Sequence, residues 1–251
     1  MGNSEIIYGI HAVRILLNVS PQSVLNLYIQ VNRKDQRLQS LTEKAEKLDI
    51  SIVCVSHHKL DALAGKKHQG IVAECRYFDS FNEELLTDIL KRRKSPALLL
   101  ILDGVKDPHN LGASLRSADA FGAQMVIAPK DRAVGITPIV RKVACGAAQT
   151  IPFIHVTNLY RTLLNLQKEG IWIVGTATEA ALSIQEVDLT GDIAIVLGSE
   201  GQGMRRLTIE RCDFLAKIPL EGIIESLNVS VACGICLYEA RRQRKMCSPS
   251  V

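Results

Sequence analysis

The rhythm of apolar positions along the chain changes near residue 97. Before it, three short β-branched runs, at 25–31, 51–55 and 70–75, predict strands. Between them, Leu38, Leu41, Ala45 and Leu48 recur at helical spacing within 35–48, and 10–17 and 59–64 predict shorter helices. This alternation predicts a small α/β unit over residues 1–76. After residue 97 the strands become continuous apolar runs, at 97–102, 125–128, 171–174 and 193–197, as in a parallel sheet covered on both faces. Helices are predicted at 111–121, 139–147, 159–169 and 229–242, within a larger unit spanning 95–251. A polar stretch, 77–94, separates the two units and reads as a linker with one helix inside it. Its basic cluster, Lys91-Arg92-Arg93-Lys94, fits a solvated face better than an RNA clamp. The tail from Arg241 onward, basic and then bearing Ser and Pro, is expected to fray.

Composition narrows the class. The 251 residues are 47% hydrophobic, enough for a buried core, yet no apolar run approaches the roughly 20 residues that cross a bilayer. Met1 to Glu5 has neither a basic start nor an apolar continuation, and Ile6 stands where a myristoylation motif needs Ser or Thr, so a cytoplasmic protein is expected. A net charge of +4 allows an anionic partner, while 4% aromatic residues argue against base stacking on an aromatic platform. Seven cysteines are an odd number, which argues against a disulfide framework. Cys233 and Cys236 form a lone C-x-x-C without the second ligand pair that zinc requires, and they read as buried helix residues.

Three segments carry candidate chemistry. The first runs from Asp103-Gly104-Val105-Lys106-Asp107-Pro108-His109-Asn110 to Ser117 and follows an apolar strand, where open α/β sheets place their sites. Asp107-Pro108 predicts a turn, and Asn110 is of a type that caps the next helix. Arg116, six residues on, can point to the same end and face, though a capped helix with a surface arginine accounts for these residues equally well. The second, Leu197-Gly198-Ser199-Glu200-Gly201-Gln202-Gly203, ends a strand in a glycine-rich loop that lets a ligand approach the backbone, with Glu200 exposed at the sheet's carboxyl edge. It is not a dinucleotide fingerprint: Arg206 stands where the third glycine belongs. The third runs from Ile218-Pro219-Leu220 to Ser226-Leu227-Asn228, where Ser226 and Asn228 precede the last helix and capping alone would explain them.

Together the three segments resemble the SpoU/TrmH branch of the SPOUT methyltransferases, over 103–232: Asn-x5-Arg, Leu-Gly-Ser-Glu-Gly-x-Gly, and Ile-Pro followed by Ser-Leu-Asn-Val-Ser. Residues 7–13 and 68–73 are similar to the start and end of the extra N-terminal domain in members that act on 23S rRNA. The resemblance implies an α/β protein: a C-terminal trefoil-knotted methyltransferase domain preceded by a small L30e-like domain that contacts RNA. Periodicity alone predicts an open Rossmann-like sheet, because knots are exceptions to the usual connection rules. The implied reaction is S-adenosylmethionine-dependent 2′-O-methylation of a guanosine in 23S rRNA, in the peptidyl-transferase-region loop, during ribosome biogenesis and without a metal. Gly198, Ile218 and Leu227 match donor positions, with Leu220 in the same wall, and Asn110, Arg116, Glu200, Ser226 and Asn228 match catalytic and substrate-positioning places. A homodimer is implied through the knot and the last helix, where Val229, Ala232, Ile235, Cys236 and Leu237 offer apolar surface; packing within one subunit would use the same residues.

The 2′-hydroxyl must lose a proton as it attacks the methyl group. A neutral guanidine near pH 7 costs roughly 7 kcal/mol to form, so Arg116 is expected to clamp phosphate as a cation and align the hydroxyl instead of acting as a simple base. Two alternatives stand beside this reading: a tRNA 2′-O-methyltransferase of the same superfamily, and a non-catalytic RNA-binding assembly factor. The N-terminal domain argues against the first, the intact donor loops against the second. A nicotinamide oxidoreductase is disfavoured by the missing phosphate fingerprint.

Overall fold

A computed structural model of the chain describes residues 4–19, 21–31, 33, 35–76, 83–91, 93 and 95–247. The N-terminal unit contains β1 (Ser4–Tyr8), α1 (Ile10–Val19), β2 (Val24–Gln30), α2 (Gln36–Lys47), β3 (Ile52–Val55), α3 (His57–Ala64) and β4 (Ile71–Arg76). Its strands lie in the order β1-β4-β2-β3, antiparallel except for the β2–β3 pair. The stripe expected on α2 holds for Leu38, Leu41 and Ala45, which are buried. Leu48 falls one residue past the helix as its C-cap and is exposed, so it is not part of the core.

Next come α4 (Glu83–Lys91), β5 (Leu98–Asp103), α5 (Pro108–Phe121), β6 (Met125–Pro129), α6 (Pro138–Ala144), α7 (Ala147–Thr150), β7 (Phe153–Val156), α8 (Leu159–Lys168), β8 (Trp172–Thr176), β9 (Leu182–Ser183), β10 (Ile193–Gly198), α9 (Arg206–Ile209), β11 (Phe214–Lys217) and α10 (Val229–Cys247). Seven strands form one sheet in the order β7-β6-β5-β10-β8-β11-β9, parallel throughout. The chain therefore leaves β8 for the sheet edge at β9, returns to the centre as β10, then inserts β11 between β8 and β9. α10 crosses back to pack along α5 and β10. One face of the sheet is covered by α5, α6 and α10, the other by α4 and α8. β5 is buried along its whole length, as its unbroken apolar run predicts.

Four expectations need correction. The helix expected inside 77–94 is α4, but it is not a free linker: Leu86 and Leu90 are buried in the sheet's core, and Glu83 accepts the Thr157 N–H. The basic cluster after it is engaged at Arg93, which pairs with Asp192; Arg92 and Lys94 lie outside the described residues. The helix expected over 139–147 breaks at Cys145 and Gly146, both left-handed, into α6 and α7. The tail stays helical to Cys247 because Arg244 donates to the carbonyls of Pro96, Ala97, Leu189 and Gly191, tying α10 to the sheet's lower edge.

Candidate active site

The carboxyl ends of β5, β8, β10 and β11 point to one edge, so the loops that follow these strands gather there. The β10 loop folds back on itself through paired backbone bonds between Ser199 and Gly203. A Cβ on Gly198 would sit 2.0 Å from the Gly203 carbonyl carbon, so only glycine fits. Gly201 and Gly203 have φ of +79° and +66°, the left-handed region that glycine tolerates without strain. The loop's end is fixed by buried Asp103, which accepts the Arg205 N–H at 2.8 Å and lies 3.4 Å from its Nε.

Under this loop lies a cavity of about 630 Å³, within the range of small-molecule sites. Gly198, Ile218, Leu220 and Leu227, the four residues expected at the donor, all line it, as do Glu200, Ser226 and Asn228. Its walls combine aliphatic side chains with the backbone of the β10 loop and the carboxylates of Glu179, Glu200 and Glu225. That set suits a ligand with a flat, hydrogen-bonding ring and a positively charged centre. Sequence reasoning missed Thr176 to Glu179, which form another wall; their position just after the apolar run of β8 was the available signal.

Asn110, Glu200 and Asn228 meet directly. Asn110 Nδ2 donates to Glu200 Oε1 at 3.0 Å, and Asn228 Nδ2 donates to Glu200 Oε1 at 2.6 Å and to Asn110 Oδ1 at 3.0 Å. Asn228 Oδ1 accepts the Ser230 N–H at 2.9 Å, so this residue caps α10 as expected while its amide nitrogen serves the network. Asn110 does not cap α5. Asp107 takes that role, accepting the His109 N–H, with Pro108 in the first turn, and this frees the Asn110 side chain to reach Glu200. Glu200 is exposed, as expected at the sheet edge. Ser226 is exposed at the cavity wall. Arg116 stands apart: it lies on the exposed face of α5, where its Nη1 approaches Cys145 Sγ at 3.5 Å.

Among the described residues, one group has metal-ligand character: His57, Asp61 and His68 in the N-terminal unit. His68 Nδ1 accepts the Gly70 N–H at 2.9 Å, which leaves the ring proton on Nε2, 3.3 Å from Asp61. Asp61 also lies 3.1 Å from His57 Nδ1, so its carboxylate sits between two imidazoles, and among the described residues neither His68 Nε2 nor Asp61 Oδ1 makes a hydrogen bond. A hollow of about 760 Å³ on the same unit is lined largely by α2 side chains and gathers none of the motif residues. Cys233 and Cys236 are buried in α10, and desolvation pushes both thiols up to about 12.

The model of the SpoU rRNA methylase family matches residues 97–238, and that of the RNA 2′-O ribose methyltransferase substrate-binding domain matches 6–80. The chain is 66% identical over 250 residues to the 23S rRNA (guanosine-2′-O-)-methyltransferase RlmB of Coxiella burnetii, covering all of both. Among solved structures, the SpoU methyltransferase AviRb of Streptomyces viridochromogenes, in complex with AdoMet, superposes with a TM-score of 0.81 at 21% identity, over 97% of this chain and 91% of its own. The TrmH/SpoU tRNA-modifying enzyme of A. aeolicus gives a TM-score of 0.56 at 32% identity, over 65% of this chain and 82% of its own. The fold is thus the trefoil-knotted SPOUT α/β type, preceded by a small L30e-like α/β domain. The chain belongs to the SpoU rRNA methylase family.

Proposed function

We propose that the protein transfers the methyl group of S-adenosylmethionine to the 2′-hydroxyl of a guanosine in 23S rRNA. The observation that carries this reading is the cavity under the β10 loop, lined by Gly198, Ile218, Leu220 and Leu227, with the Asn110–Glu200–Asn228 network on its rim. A guanosine of 23S rRNA is favoured over tRNA because the 23S rRNA relative matches the chain end to end, whereas the tRNA-modifying one covers 65% of it.

When bound, S-adenosylmethionine supplies an electrophilic methyl group on a cationic sulfur. The aliphatic walls and the backbone of the β10 loop hold the adenosine part, and the nearby carboxylates complement the positive charge. Asn110, Glu200 and Asn228 act as one unit that locks the β10 loop to the start of α5 and α10, so nucleotide and donor meet in fixed geometry. Ser226 offers a hydroxyl to the nucleotide from the cavity wall. Arg116, on the same helix as Asn110, clamps a substrate phosphate and favours the ionised form of the attacking hydroxyl.

Residues 1–76 form the RNA-reading domain, 77–94 the connection and 95–251 the methyltransferase domain. The active form is a homodimer. Of the five residues expected at its interface, Val229, Cys236 and Leu237 are buried within the subunit and Ala232 packs against its core; Ile235 is exposed. Val231, Ile235 and Tyr238, at helical spacing on the outer face of α10, form the apolar surface that supports a dimer. Sedimentation tests it: the protein should run as a dimer and Tyr238→Glu as a monomer, and a monomeric parent protein ends the proposal. Among the described residues no helix is long and apolar enough to cross a membrane, which fits work in the cytoplasm.

The reaction is tested by incubating the protein with methyl-labelled donor and protein-free 23S rRNA or total tRNA. Label on 23S rRNA is expected; label on tRNA alone overturns the assignment of substrate.

A further inference from the structure

The N-terminal unit docks on the methyltransferase domain at a place that leads to Arg116. Glu5 of β1 and Arg141 of α6 form an ion pair in which each side chain keeps 9% of its exposure. Burial pushes the Glu5 carboxyl up from its ordinary range, outweighing the opposite effect of the guanidinium. Desolvation is therefore the larger influence, and such a pair sets geometry more than it adds stability. Beside it, α1 presses on the α6–α7 junction: a Cβ on Gly146 would lie 2.4 Å from Ile15 Cδ1. The junction is a fixed turn, since Cys145 and Gly146 have φ of +52° and +101°.

The other side of that junction faces α5. Arg116 Nη1 approaches Cys145 Sγ, and a Cβ on Gly112 would lie 2.7 Å from Val143 Cβ, so α5 and α6 touch backbone to side chain. Contacts thus run from β1 and α1 onto α6 and the Cys145–Gly146 turn that ends it, and from Cys145 to Arg116.

We propose that Glu5 and Arg141 are positioning residues for methyl transfer: by seating the RNA-reading domain on α6 and α7, their pair fixes the Cys145 wall against which Arg116 is set. The inference rests on the reading of Arg116 as a substrate-side residue. It means that RNA held by the N-terminal unit meets an arginine whose direction that same unit has set.

Single-turnover rates on 23S rRNA and donor Kd test this in Arg141→Leu, in the double variant Glu5→Leu/Arg141→Leu, and in each combined with Arg116→Ala. Arg141→Leu leaves the Glu5 carboxylate buried and unpaired; the double variant removes both charges and keeps the contact apolar. The expected result is at least a tenfold loss of rate in Arg141→Leu with donor Kd within twofold. The double variant, which lacks the pair without leaving a buried charge unpaired, should stay at least tenfold down, and a parent-like rate there would overturn the proposal. Arg141→Leu should cost less than twofold more in the Arg116→Ala background. An equal tenfold loss in that background would overturn the proposal, because the pair would then act without Arg116. A parent-like rate in folded Arg141→Leu would overturn it too. If Arg141→Leu does not fold, Ile15→Ala trims the same contact with the ion pair intact and is read by the same cycle. An unchanged rate in Arg116→Ala alone would instead remove the reading of Arg116 on which the inference rests.

Discussion

Asn110, Glu200 and Asn228 are bound to one another, whereas among the described residues Arg116 has a thiol as its hydrogen-bond partner. It is also the one cation among the five proposed catalytic residues, so it is the residue whose loss should fall on the reaction and spare the donor. Arg116→Ala is expected to slow methyl transfer about 30- to 1,000-fold, corresponding to about 2–4 kcal/mol for a lost charge–phosphate contact in the transition state. Donor Kd by calorimetry should stay within a few-fold. Arg116→Lys keeps the charge without the planar fork and should remain impaired from pH 6 to 9; a steep recovery with rising pH would favour a base over a clamp. A second expectation concerns thiols. Burial raises Cys75, Cys212, Cys233 and Cys236 from 9.0 to about 12, so at pH 8 roughly one in ten thousand of each is thiolate. Exposed Cys54 and Cys247 should alkylate first in the native protein, and mass spectrometry finding Cys233 labelled as fast as Cys54 would contradict that burial. The fold holds these four thiols neutral, so it binds more protons than the unfolded chain between about pH 9 and 12, and stability should fall as pH rises through that window. At this scale the sequence was legible as residue types and opaque as partners. Asn110 read as a cap because Asp107, three residues earlier, has the same capping chemistry; only the meeting of β5 and β10 places Glu200 within reach of it.

Among the elements, the β10 loop should be the least tolerant of change. Gly198→Ala forces a methyl group into the Gly203–Met204 backbone, so the loop must open and the cavity lose its cover. Donor affinity is expected to fall at least tenfold while thermal unfolding moves by only a few degrees; unchanged affinity would mean the loop does not hold the donor. The long apolar strands and amphipathic helices were legible because burial on both faces writes itself as composition. The short strands were not: β7 carries a histidine and β11 ends in a lysine, and each has only four residues. β1 was also missed, since its burial comes from β4 alone among the strands and its residues are mostly half-buried. The break between α6 and α7 falls on Cys145 and Gly146; the glycine was the available signal, while Cys145 has no local tendency to turn left-handed. The turn is met from outside the segment by Ile15 at Gly146 and by Arg116 of α5 at Cys145.

At the scale of the whole molecule, the order of strands could not be read from periodicity, since β10 lies between β5 and β8 only through a path that pattern does not encode. The family resemblance implied a knotted path but no strand order. The division into two units should survive cutting if α4 is kept: a fragment of residues 83–251 retains Leu86 and Leu90 in the sheet's core. It is expected to bind donor with parent-like affinity and to lose most preference for 23S rRNA. A folded fragment that binds no donor would refute the division, and undiminished preference would remove the RNA-reading role from residues 1–76. The central claim is that a ribose oxygen receives the methyl group, and alkaline hydrolysis of the labelled product tests it most directly. A 2′-O-methyl group blocks cleavage at its own linkage, so the account predicts that the label from 23S rRNA is recovered in a single alkali-resistant dinucleotide whose 5′ residue is guanosine. Label recovered in mononucleotides, on a base, would contradict it.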